Sequence, residues 1–151
     1  MKQPYQFGLE HLNSNDCSLF NDWFYQKTGI RSAWCATLVS WCYDQAGVNL
    51  GPIDWQRGYA NVMNGVKHFT AKGEMTDKPV CNDLVFYDWS GHRLNWEHTG
   101  IFICDNGNGT FDAIEGNTSL TGSQSNGNGV CRKTRHYNVA CFAHPKQNNF
   151  K

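Results

Sequence analysis

The sequence predicts an α+β fold, with N-terminal helices packed on a C-terminal antiparallel β-sheet. Three observations carry this expectation. Apolar residues in the first half recur at helical spacing. In the second half they switch to short β-branched and aromatic runs, separated by turn residues such as Asp105-Asn106-Gly107-Asn108-Gly109. Helices first and strands afterwards is the order of a segregated α+β domain, not of alternating β-α-β units. The 151 residues suffice for one domain with a real core, and an aromatic content of 14% favours a packed globule over a disordered chain.

Each element follows from a local pattern. Asn15-Asp16 caps a first helix whose apolar residues are Cys17, Leu19, Phe20, Trp23 and Phe24, and Gly29 closes it. A second helix follows the loop at Arg31, with Ser32 as its N-cap. Leu38, Val39, Trp41, Cys42 and Ala46 lie at helical spacing, and Gly47 ends the pattern. A third, weaker helical pattern runs from Ile53 to Val66 through Trp55, Tyr59, Val62 and Met63. Five strand-like runs come next: 84–89, 99–104, 110–115, 130–135 and 139–142. Between two of them, Thr121 to Gly129 is polar and glycine-rich, and reads as a mobile loop. No repeat and no linker interrupts the chain.

Charge and cysteine usage narrow the function classes. Lys+Arg and Asp+Glu are equal at 13 each, so nothing supports a nucleic-acid partner. No apolar run approaches a membrane span, and no membrane insertion is expected. Met1 to Gly8 lacks an apolar h-region, which predicts a chain made in the cytoplasm without a signal peptide. Seven cysteines is an odd count, so at least one is unpaired, and no C-x-x-C pair suggests zinc or a thioredoxin-like motif. Cys17, Cys81, Cys104, Cys131 and Cys141 read as core or near-core thiols.

The chemistry concentrates at Cys35, in the first turn of the second helix. A helix N-terminus presents unpaired N–H groups and a positive dipole end, both of which favour thiolate over thiol. Such a cysteine is either the attacking atom of a hydrolase or a small core residue. A nucleophile needs a base, and the base needs an orienting group. Of six histidines, His98 is best placed, because it opens a strand beside a loop; His68 reads as a solvent-facing strand position. The next strand ends in Ile114-Glu115-Gly116-Asn117-Thr118. Residues two apart on a strand share a face, so Glu115 or Asn117 can reach the imidazole, if the two strands pair.

The succession Trp34-Cys35-Ala36, Asn82-Asp83-Leu84-Val85-Phe86-Tyr87-Asp88-Trp89, Glu97-His98-Thr99-Gly100-Ile101, Ile114-Glu115-Gly116-Asn117-Thr118 and Gly129 to Arg135 resembles a CHAP domain. These are cysteine, histidine-dependent amidohydrolases/peptidases of the papain-like, NlpC-related group, found in phage lysins and bacterial autolysins. The resemblance covers residues 16–144, leaving 1–15 as an N-terminal extension and 145–151 as a tail. It implies a papain-like fold, peptidoglycan as the substrate, and an amide bond cleaved through a thioester. Carried over by position, Cys35 is the nucleophile, His98 the base and Glu115 its orienting group. Asn117 is polar support for the imidazole or the oxyanion, and Trp34 and Trp89 flank the groove. Two positions depart from the family's pattern: Asn82 stands where glycine is usual, and Thr99 where valine is usual. Some relatives bind calcium just ahead of the nucleophile, but Tyr25 to Ser32 holds no Asp or Glu here, so neither metal nor cofactor is expected. A monomer that acts on the cell wall, through a holin-type release if phage-encoded, completes the expectation. A contact-dependent toxin, or a non-catalytic wall-binding module on the same fold, is the alternative.

Overall fold

Four α-helices and six strands occupy the residues that the computed structural model describes, 2–13, 18–29, 34–118 and 129–146. The helices are α1 (Pro4–Leu9), α2 (Ser18–Thr28), α3 (Trp34–Gln45) and α4 (Val62–Ala71). The strands are β1 (Met75–Thr76), β2 (Leu84–Tyr87), β3 (His98–Asp105), β4 (Thr110–Thr118), β5 (Gly129–His136) and β6 (Ala140–Ala143). They form one antiparallel sheet in the order β1-β6-β2-β3-β4-β5, so the chain has the expected α+β architecture.

Period-two alternation sorts the sheet's side chains onto two faces. Leu84, Phe86, Ile101, Ile114 and Val130 enter the main core with Leu38, Val39, Cys42 and Tyr43 of α3 and Phe20 of α2. Val85, Tyr87, Phe102, Phe111, Ala113 and Phe142 form a second cluster. Every residue of α3 from Trp34 to Tyr43 is buried. A helix covered on all sides can afford apolar residues all round, which is why α3 shows so little amphipathic contrast in sequence.

Several elements differ from expectation. The third helix starts at Val62, not Ile53, because Asn61 is its N-cap and its side chain accepts from the Asn64 backbone N–H. The stretch before it is a loop folded around Asp54. Its apolar residues look helical in spacing but serve different neighbours: Trp55 packs edge-on against Trp23 and Phe24, whereas Tyr59 packs on Phe86. His68 lies on α4 and not on a strand. The segment read as an N-terminal extension contains α1, which packs into the fold. Phe7 meets Trp41 edge-on, and Gly8 sits so close to Ile114 that a Cβ would lie 2.6 Å from its side chain. Asn15, Asp16, Cys17, Ser32 and 121–128 lie outside the described residues.

Candidate active site

The site begins with strand register. Tyr87 pairs with His98 and Phe86 with Thr99, so Thr99 and Ile101 point to the helices while His98 and Gly100 point to the other face. Ile101 pairs with Ile114, which puts Glu115 on the same face as His98, one strand over. Gly100 lies between them. A Cβ there would stand 2.6 Å from the Ile114 carbonyl oxygen and 2.7 Å from Glu115 Cγ. The missing side chain is the space through which Glu115 reaches the histidine. His98 Nε2 lies 2.9 Å from Glu115 Oε1, and both side chains are fully buried.

A second glycine brings the cysteine in. A Cβ at Gly116 would stand 2.8 Å from Leu38 and 2.9 Å from Trp34. Its absence lets the first turn of α3 rest on the β4 backbone, next to the strand ends that carry His98 and Glu115. Cys35 forms part of the floor of a cleft of about 300 Å³, whose walls include Ala60, Asn61, Met63, Asn95, Trp96 and Glu97. Each wall is folded around one aspartate. Asp54 accepts from the Ala60 and Asn61 N–H groups and from Asn64 Nδ2. Asp88 accepts from the Ser90 hydroxyl and N–H and from the Leu94 and Asn95 N–H groups. Those bonds, the Ser90 hydroxyl foremost, hold the Asp88 carboxyl well below the usual range.

Electrostatics couple the three groups. Burial disfavours a charged His98, but the nearby Cys35 sulfur and the Glu115 carboxylate outweigh it and raise the imidazole to about 9. Burial alone would likewise keep Glu115 protonated; hydrogen bonds from Arg135 and His98 reverse that and hold it below the ordinary carboxyl range. Glu115 faces Arg135 on β5, which donates from Nε to Oε2 at 2.9 Å and from Nη2 to Oε1. The guanidinium lies 4.7 Å above the Trp89 ring and 5.3 Å from that of Tyr87. The same two rings lie against the imidazole, with centroids at 5.7 Å for Tyr87 and 5.8 Å for Trp89. Arg135 has no assigned part in the sequence reading. The available signal was a basic residue repeating at alternate positions, Lys133 and Arg135, on a strand whose partner carries Glu115.

The remaining sequence-predicted residues divide. Trp89 is half-buried in the aromatic stack beside His98. Trp34 is buried, stacked flat on Phe20 at 5.7 Å, and so packs in the core; the tryptophan that lines the cleft is Trp96. Asn117 is buried at a bulge where β4 carries an extra residue against β5, and its φ is +56°. The bulge breaks the two-residue alternation that would have put Asn117 on Glu115's face. Cys42 is fully buried two turns further along α3, and burial pushes its thiol far up. Burial also raises Cys81, Cys131 and Cys141, the last to about 12.

A model of the CHAP domain matches residues 25–117, more than half of the chain. The chain belongs to the CHAP domain family, whose members generally hydrolyse peptidoglycan as amidases or peptidases. The matched span takes in Cys35, His98, Glu115 and Asn117 and ends before β5.

Proposed function

We propose that this protein is a peptidoglycan hydrolase that cleaves an amide bond of the bacterial cell wall through a thioester on Cys35. One observation carries the reading above all: a buried His98–Glu115 pair at 2.9 Å beside a cysteine on the floor of an open cleft, in a chain of this family. The Cys35 thiolate attacks the amide carbonyl carbon, and the carbonyl π pair moves to oxygen. The Cys35 backbone N–H stabilises that oxyanion, with Asn117 as polar support at the same end of the site. The oxyanion collapses, the C–N bond breaks, and His98 gives its proton to the leaving amine. A water then attacks the thioester, His98 takes its proton, and the acid product leaves as the thiolate is regenerated. Glu115 holds the imidazole by accepting the Nε2 hydrogen, leaving Nδ1 to face the sulfur. Trp89 shields the pair from water. The scissile bond is either N-acetylmuramoyl-L-alanine or a peptide bond of the stem or cross-bridge.

Digestion of purified peptidoglycan, with the new termini identified by mass spectrometry, tests this. A new N-terminal alanine with freed lactyl groups assigns an amidase; new amino groups within the stem or bridge assign an endopeptidase. Cys35→Ala is expected to lose activity by about 10⁴-fold or more while remaining folded. An unaltered wall digest, or equal activity in folded Cys35→Ala, overturns the reading.

A further inference from the structure

We propose that Arg135 is a positioning residue of the active site: its fixed positive charge allows one buried pocket to hold two anions, the Glu115 carboxylate and the Cys35 thiolate, around a single imidazolium. The inference rests on the catalytic reading of Cys35 and His98, and adds a residue from outside the span that the family model matches.

The geometry is that of an internal clamp. Glu115 has no solvent exposure and Arg135 is 7% exposed, so this pair is not a surface contact. Arg135 occupies both carboxylate oxygens, and Oε1 also receives His98 Nε2. A carboxylate bound in this way cannot turn without breaking bonds to Arg135, so the guanidinium fixes the plane in which Glu115 meets the imidazole. Tyr87 and Trp89 stack against guanidinium and imidazole alike, so one aromatic pair sets the position of both cations.

Charge counting then gives Arg135 its role. The groups that face Glu115 are His98 from β3, Tyr87 from β2, and Cys131, Lys133 and Arg135 from β5; Cys35 from α3 faces His98. In the order Arg135, Glu115, His98, Cys35, the reactive state reads plus, minus, plus, minus, and the row is neutral. Remove the guanidinium charge, and the neutral arrangement becomes Glu115 carboxylate, His98 imidazolium and Cys35 thiol. A dry pocket favours neutrality strongly, so the proton returns to sulfur. Lys133 also acts on Glu115 and is nearer to it in register, opposite Ala113, but it is Arg135, opposite Phe111, whose guanidinium bonds both carboxylate oxygens.

The pH dependence of Cys35 alkylation by iodoacetamide, followed by mass spectrometry of the labelled peptide, tests the proposal without any wall substrate. Arg135→Gln keeps a hydrogen-bond donor and loses the charge; Arg135→Lys keeps the charge and loses the two-pronged contact. In Arg135→Gln the midpoint for alkylation is expected to rise by about one pH unit or more. In Arg135→Lys it stays within a few tenths of the parent, while turnover on peptidoglycan falls by about tenfold because Glu115 is no longer held in plane. A residue that only props the fold would lower the melting temperature of both variants and leave both midpoints in place, and that result overturns the proposal. So does an Arg135→Lys midpoint that moves as far as that of Arg135→Gln. Should Arg135→Gln fail to fold, Arg135→Lys alone decides: a parental midpoint with reduced turnover supports the proposal, and a raised midpoint overturns it. A parent that alkylates normally but leaves peptidoglycan intact refutes the hydrolase reading and leaves the role of Arg135 to be judged on these midpoints.

Discussion

The two faces of the central sheet are built on opposite terms. Toward the helices, Leu84, Phe86, Ile101, Ile114 and Val130 present only carbon to the core. On the other face an aromatic cluster shades into His98, Glu115 and Arg135, three charged groups without water. Carbon packed on carbon is non-directional, so the first face tolerates small changes of shape. The second depends on the placement of individual atoms, because a buried charge that loses its partner keeps its full desolvation cost. One strand serves both: successive residues of β3 and β4 alternate between holding α3 in place and holding the imidazole.

The comparison can be broken most severely at Gly100, where the faces meet. Gly100→Ala puts a Cβ against the Ile114 carbonyl and Glu115 Cγ, and backbone must move. We expect about 1–3 kcal/mol of lost stability by denaturant titration. We also expect a fall of about 100-fold in turnover, since a misplacement of about an ångström in a triad costs that much. Full activity in Gly100→Ala would show that Glu115 does not need this path.

A pH series sharpens the contrast next. His98 is raised to about 9, so the proposed mechanism, in which its imidazolium protonates the leaving amine, predicts that hydrolysis falls as pH climbs through about 9. Alkylation of Cys35 should not fall there, because it needs the thiolate alone. Stability carries the same sign. A charged His98 stabilises the fold fully below its ordinary value of 6.5, and that contribution fades as pH rises through about 9. Glu115 is depressed to about 2, so its contribution is complete above its ordinary 4.5 and is lost as pH falls toward about 2. Melting temperatures of the parent and Glu115→Gln across this range check both limbs, which should shrink in the variant.

The smallest effect is expected on the helix-packed face. Ile114→Val removes one methylene from a fully buried side chain and should cost about 1 kcal/mol, with turnover per folded molecule unchanged. A large loss of turnover there would mean that the two faces are not separable.

Much of this contrast was legible in the sequence, and the exceptions have physical causes. Strand runs with period two located β2 to β6 to within a few residues, and helical spacing located α2 and α3. The turn at 53–61 was read as helix because Trp55 and Tyr59 are spaced like one, whereas Asn61 carries the cap. The two-residue β1 and the six-residue α1 are too short to show a period. At the site, Cys35, His98 and Glu115 are brought together at one end of the sheet. Trp34 was expected at the groove, but Gly116 draws the first turn of α3 so close to β4 that its ring is swallowed by the core. Arg135 stayed silent because a charge on an edge strand looks solvated until the fold puts aromatic rings over it.

The Thr99 hydroxyl gives the molecule an evolutionary constraint of its own. It donates to the Val85 carbonyl at 2.7 Å, which leaves it to accept from the Tyr59 hydroxyl, also at 2.7 Å. Tyr59 is fully buried and its loop forms a wall of the cleft. Valine, the residue usual in the family's pattern at this strand position, would strand the tyrosine hydroxyl at a cost of about 1–3 kcal/mol. Replacing Tyr59 with phenylalanine in that background removes the orphaned group. Positions 59 and 99, forty residues apart in sequence, therefore constitute a two-locus epistatic unit. The order of change then matters: Tyr59→Phe first leaves the Thr99 hydroxyl on the Val85 carbonyl, whereas Thr99→Val first orphans the buried tyrosine hydroxyl.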